Sequence, residues 1–209
     1  MKAGEGKTAR TALLLVDVIN DLDFPGSGKL VRQAVPMARR LARLKARAAG
    51  AGIPSIYIND NFGRWRSDFK RLVAHCTNDK VPGRQVARLM RPTPRDYFVL
   101  KPKHSAFYET TLDTLLEYLQ TETVILTGIA GNICVLFSAN DAYMRDLRLF
   151  VPRDCTVSNT KKENDYALEQ MRTVLKADLT SSAKLDLKRL ALDGGGQHLA
   201  SHTSEGANL

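Results

Sequence analysis

One short run of residues limits the possible folds more than any other. TALLLVDV (11–18) is apolar from Ala12 to Val16 and then meets an acid at Asp17. A half-buried strand alternates apolar with polar residues, whereas a short unbroken apolar run suits a strand covered on both faces, as in a parallel sheet. Asp17 falls where that strand gives way to a loop.

The segments that follow keep a strand–helix rhythm. Val31 to Ala49 places Val35, Ala38, Leu41, Ala42, Leu44 and Ala48 at helical spacing, with Gly50 as a stop signal. PSIYIND (54–60) predicts a strand, and SDFKRLVAHC (67–76) a helix capped by Ser67. A strand over YFVLK (97–101), a helix over 111–120, a strand over TVILTG (123–128), a helix from Asn132 to Arg145 and a strand over LRLFVP (147–152) come next. A helix from Lys162 to Leu175 and a last short strand and helix over about 178–191 complete the pattern. Parallel strands need crossover connections, so six strands alternating with helices predict an α/β fold, a three-layer α/β/α sandwich around a six-stranded, mainly parallel sheet.

At 209 residues and 44% hydrophobic content, the chain has material for one sizeable core. A single domain is expected over 1–192, and the Gly- and Ser-rich stretch 193–209 is expected to be a disordered tail. The opening MKAGEGKTAR has charge but none of the apolar segment of a secretory signal, and no run reaches membrane-spanning length, so a cytoplasmic protein with no membrane partner is expected. The formal net charge of +9 raises the question of nucleic acid. The basic residues are scattered (Arg32, Arg39, Arg40, Arg43, Lys45, Arg47, then Arg84, Arg88, Arg91, Arg95) and no recognised motif accompanies them, so a nucleic-acid partner is not expected. Three cysteines, Cys76, Cys134 and Cys155, fit neither a disulfide framework nor a paired zinc site. Cys76 and Cys155 read as structural thiols.

In an open parallel sheet, ligands bind beyond the carboxyl ends of the strands. Three such places carry reactive groups: Asp17 after the first strand, Lys101 closing YFVLK, and Cys134 at the start of the helix after TVILTGIAG. Singly they read as a turn residue, a surface charge and a small buried hydrophobe. Together they read as an activated nucleophile, because a helix N-terminus and a nearby Lys favour a thiolate and a carboxylate can take the proton.

LLLVDVINDL, KPKHSAF and TGIAGNICVLFSANDAY resemble, in order and separation, the three signature segments of the isochorismatase-like cysteine hydrolases, which include nicotinamidases and N-carbamoylsarcosine amidohydrolases. The resemblance spans almost the whole chain. It implies catalytic roles for Asp17, Lys101 and Cys134, in which Cys134 attacks a carbonyl, Asp17 moves the proton and Lys101 holds the charged pair. It also implies a non-proline cis peptide at Ile129–Ala130, an oxyanion hole formed by the backbone N–H groups of Ala130 and Cys134, and a homo-oligomer. The activity it implies is hydrolysis of a C–N bond in a small amide or carbamoyl compound through a Cys134 thioester.

The chain departs from the nicotinamidases after the second strand. They carry a metal-binding Asp-x-His there, whereas this sequence reads YINDNFGRWRSDF, with no histidine before His75. No metal and no cofactor are therefore expected. Asn61, Arg64 and Trp65 in that stretch are candidate substrate-binding residues, through guanidinium forks and ring stacking. Phe107 and Tyr108 are candidates for an aromatic wall, and Ile133, with Ile19, for a dry pocket. Two other functions fit less of the pattern: an isochorismatase-type vinyl-ether hydrolase, which needs no thiol, and a non-catalytic binding or assembly module.

Overall fold

A computed structural model of the chain describes residues 8–60, 68–78 and 80–192. Its strands are β1 (Thr11–Val16), β2 (Ser55–Asp60), β3 (Tyr97–Lys101), β4 (Thr123–Ile129), β5 (Arg148–Phe150) and β6 (Thr156–Val157). The helices are α1 (Gly28–Gly50), α2 (Phe69–Asn78), α3 (Arg84–Leu89), α4 (Leu112–Leu119), α5 (Leu136–Tyr143), α6 (Lys161–Thr173) and α7 (Leu187–Leu192). The strands form one six-stranded sheet in the order β3-β2-β1-β4-β5, with β6 paired to the end of β4. Every strand pair is parallel.

The central strand shows why its sequence is apolar throughout. Leu13 and Leu15 face a core shared with α1, α2, α3 and α7, through Met37, Leu41, Phe69, Val86 and Leu187. Ala12, Leu14 and Val16 face the opposite core, against Leu116 of α4, Ala139 of α5 and Met171 of α6. The period-2 alternation of side chains is intact, but both faces are covered, so it leaves no polar trace in the sequence. Each fully buried Leu or Val contributes roughly 1.5–3 kcal/mol relative to exposure.

Local signals explain where several elements begin and end. A capping box starts α6: the Glu163 carboxylate accepts from the Thr160 N–H at 2.9 Å, and the Glu163 N–H donates to Thr160 Oγ1 at 3.2 Å. The expected last strand near 178 is only a single bridge between Phe150 and Asp178, and the sixth strand lies instead at Thr156–Val157. Two residues are too few for periodicity to reveal. The short α3 was not foreseen, and the expected helix from Asn132 opens as a π-turn over Gly131–Val135 before becoming α5. Ser67, Asn61, Arg64, Trp65 and the tail expected over 193–209 lie outside the described residues. No described helix is long and apolar enough to cross a membrane.

At the end of β4 the chain passes close to β1. Gly128 has φ +123°, a region open to glycine and poor for other residues, and a Cβ there would lie 2.0 Å from the Val16 carbonyl oxygen. Gly128→Ala is expected to destabilise the protein by about 2–4 kcal/mol, since the clash is with backbone of the central strand. An unfolding free energy from urea denaturation within about 0.5 kcal/mol of the parent would contradict this placement.

Candidate active site

The chain order β1, β2, β3 runs outward on one side of the sheet, and β4 then lies on the other side of β1. This reversal is the topological switch point of a doubly wound sheet, where a crevice opens beyond the carboxyl ends of the strands. Asp17 follows β1, Lys101 is the last residue of β3, and Cys134 lies in the π-turn after β4. The structure brings all three together.

Asp17 adopts φ 50°, a left-handed conformation that aspartate tolerates better than most residues. Its N–H still donates to the Ile58 carbonyl at 2.8 Å, so the turn begins only after the last sheet bond. The carboxylate is then held from two sides. Oδ1 accepts from the Asp60 N–H at 2.8 Å, and Oδ2 meets Lys101 Nζ at 2.8 Å. Lys101 is fully buried, and its ammonium also donates to the Lys103 carbonyl at 3.0 Å and lies 3.6 Å from Cys134 Sγ. A buried ammonium with three directed partners has its donors used. Asp60 Oδ2 adds a further negative group at 3.9 Å.

The electrostatics correct one expectation from the sequence. Burial, followed by the negative charge of Asp17, pushes the Cys134 thiol up to about 12, against the opposing influence of Lys101. Burial and the neighbouring Asp17 charge thus favour the thiol over a preformed thiolate. Burial also holds the Asp17 carboxyl above the usual carboxylate range, although Lys101 opposes it. Burial pulls Lys101 down, but Asp17, Cys134 and Asp60 together hold it above its ordinary value. A thiol beside a carboxylate of increased basicity is arranged to lose its proton during attack.

The turn carrying Cys134 is fixed by groups the sequence did not single out. The Ile129–Ala130 peptide is cis, as the motif resemblance implies. Ala130 is extended (φ −88°, ψ 143°), and its carbonyl accepts the N–H groups of Ile133 and Val135. Ser158 Oγ accepts the Asn132 N–H at 3.0 Å and donates to Asn164 Oδ1 at 3.1 Å. Those two side chains sit directly on Gly131, where a Cβ would lie 2.3 Å from Asn164 Oδ1 and 3.1 Å from Ser158 Oγ. A side chain at 131 would have to displace the Ser158–Asn164 pair. Ser138, one turn beyond the cysteine, donates to the Cys134 carbonyl at 2.6 Å and accepts the Ala106 N–H at 2.9 Å, tying KPKHSAF to the nucleophile's helix. Ser105 donates to Asp141 in the same bracket.

The remaining candidates separate. Phe107 is buried, with the Arg145 guanidinium 4.6 Å from its ring centroid, and belongs to the core. Tyr108 is exposed and Ile133 half-buried on the turn itself. One ring near the sulfur was not foreseen: His104, whose Nδ1 lies 3.9 Å from Sγ and whose ring centroid is 5.6 Å from that of Phe137. Cys76 and Cys155 are fully buried. His75 pairs with Asp21 at 3.2 Å, and no described group of three His, Cys, Asp or Glu residues is arranged to hold a metal ion.

An isochorismatase domain model matches residues 11–184. The chain belongs to the isochorismatase family. The isochorismatase family protein YaaI of Bacillus subtilis (strain 168) is 44% identical over 177 residues, covering 85% of this chain and 97% of that one. Ureidoacrylate amidohydrolase RutB of Methylobacterium radiotolerans is 30% identical over 173 residues, covering 71% of this chain and 67% of that relative. Among solved structures, N-carbamoylsarcosine amidase from Thermoplasma acidophilum superposes with a TM-score of 0.63 at 25% identity, covering 85% of this chain and 99% of that one. The protein is an isochorismatase-family hydrolase.

Proposed function

We propose that this isochorismatase-family hydrolase cleaves the C–N bond of a small amide or carbamoyl compound through a thioester on Cys134. The observation that carries the reading is the Lys101 ammonium, 2.8 Å from Asp17 Oδ2 and 3.6 Å from Cys134 Sγ, which gathers carboxylate and sulfur at one point. Carboxylate, ammonium and thiol form a nucleophile with its base and counter-charge in place.

In the first half-reaction, Cys134 Sγ bonds to the carbonyl carbon as its proton passes to Asp17. The carbonyl oxygen becomes an oxyanion facing the N–H groups of Ala130 and Cys134 on the turn braced by Ser158 and Asn164. Such donors are worth roughly 3–4 kcal/mol each in comparable sites. Asp17 then gives the proton to the departing nitrogen, the C–N bond breaks and the acyl group stays on sulfur. Water attacks the thioester with Asp17 again as base, and the acid product leaves as the thiol re-forms. Lys101 stays charged throughout and keeps Asp17 oriented.

The names of the relatives supply the first substrates to try. Ammonia release is expected from at least one of ureidoacrylate, N-carbamoylsarcosine or other small amides and N-carbamoyl compounds. Cleavage of isochorismate with no amide turned over would favour the vinyl-ether reaction instead. Failure on every amide, carbamoyl and vinyl-ether compound would favour a non-catalytic role.

A further inference from the structure

Ser158 directly follows the shortest strand of the sheet. That strand, β6, pairs with the last residues of β4 in the register Gly128↔Thr156 and Ile129↔Val157, immediately before the turn that carries Cys134. The pairing sets Ser158, fully buried, beside the start of that turn. The capping box at Thr160 fixes the first turn of α6, and this brings Asn164, 9% exposed, to the same place.

The backbone bonds of the turn show what the pair holds. In an α-helix the Cys134 N–H would donate to the carbonyl four residues back, at Ala130. Here that carbonyl accepts the N–H groups of Ile133 and Val135 instead, so the wider π-turn does not commit the Cys134 N–H to Ala130. At the opening of the turn, the Asn132 N–H donates to Ser158 Oγ at 3.0 Å, and Ser158 donates to Asn164 Oδ1 at 3.1 Å. Gly131 lies against both side chains. The first half of the turn is thus tied to β6 and α6, and Ser138 ties its second half to the KPKHSAF loop.

We infer that Ser158 and Asn164 are positioning residues for acyl transfer, holding the π-turn in the form that presents the Cys134 N–H to the developing oxyanion. This rests on the thioester reading. The two side chains act through the backbone: Asn164 takes the Ser158 proton, which leaves a lone pair of the hydroxyl directed at the Asn132 N–H.

Two reagents separate this role from a general one in the fold. p-Nitrophenyl acetate transfers its acetyl group to sulfur: the S–C bond forms through an oxyanion, the C–O bond breaks, p-nitrophenolate leaves and the thiol proton passes to Asp17. Methyl methanethiosulfonate places a methylthio group on the same sulfur as methanesulfinate leaves, and no oxyanion on carbon is formed. The first rate is the p-nitrophenolate release that Cys134→Ala abolishes, and the second is read by mass spectrometry at Cys134. In the full chain, Ser158→Ala is expected to slow acetyl transfer at least about tenfold while methylthiolation stays within about twofold of wild type. Asn164→Ala is expected to act in the same direction by freeing the hydroxyl, whereas Asn164→Asp, which keeps an acceptor oxygen, is expected to stay within about threefold of wild type. A ratio of the two rates unchanged in Ser158→Ala, whether both hold or both fall, overturns the inference. Release that persisted in full in Cys134→Ala would instead sink the thioester reading, and the two failures are separately visible.

Discussion

Cys134→Ala is expected to lower turnover of an amide or carbamoyl substrate by at least about 10⁴-fold, because it removes the atom to which the acyl group is attached. The substitution deletes one sulfur from a half-buried position on a turn held by Ser158, Asn164 and Ser138, so the fold is expected to persist. Cys134→Ser is a sharper comparison. It keeps a proton for Asp17 to take, yet an alcohol is a poorer nucleophile than a thiol in a site whose base is raised by burial and opposed chiefly by Lys101. We expect it to lose about 10³-fold, with substrate binding largely retained. Steady-state rates and a thermal melt on the three proteins separate loss of chemistry from loss of fold. Full activity in either variant would contradict the assigned nucleophile.

Lys101→Met has the largest expected effect on stability. Methionine is close in length, but it leaves the Asp17 carboxylate buried with its 2.8 Å partner gone. Removing one member of a buried ion pair typically costs about 3–5 kcal/mol, because the other charge remains desolvated. The pH dependence has a definite sign. Burial already raises Asp17 above its ordinary range, and loss of Lys101 raises it further. A carboxyl raised in the folded state favours folding while it is protonated and loses that contribution as pH rises through its folded value. The deficit of Lys101→Met is therefore expected to be full at pH 8 and to shrink towards pH 5. Urea denaturation at the two pH values measures it. A deficit equal at both, or absent at pH 8, would contradict the buried pair. Activity is expected to vanish together with the pair.

Much of the site was legible because two simple patterns coincided. Continuous apolar runs mark strands covered on both faces, and ligands gather at the carboxyl ends of such strands, so Asp17, Lys101 and Cys134 stood out as the polar or reactive groups at three of those ends. The same rule would have found Ser158, which directly follows β6, but a two-residue strand carries no periodicity to announce it. Asn164 is a buried polar residue within an otherwise amphipathic helix, a weak signal until Gly131 is seen against it. His104 was hidden for another reason: it lies three residues after a foreseen site residue, but its place near the sulfur depends on how the KPKHSAF loop packs on α5. Phe107, which looked equally suited to line a pocket, turns inward instead. The protonation of Cys134 was the least legible property. A helix start and a lysine both argue for a thiolate, and only the degree of burial and the closeness of Asp17 reverse that sign.

During turnover the acyl group is expected to reside on Cys134. The direct measurement is mass spectrometry of the protein quenched at successive times with a turned-over substrate in excess, followed by peptide mapping across Gly131–Val135. A mass increase equal to the acyl portion of the substrate is expected on Cys134, appearing before product and decaying as substrate is exhausted. An unmodified Cys134 at every quench time during active turnover, or the acyl group on another residue, would contradict it.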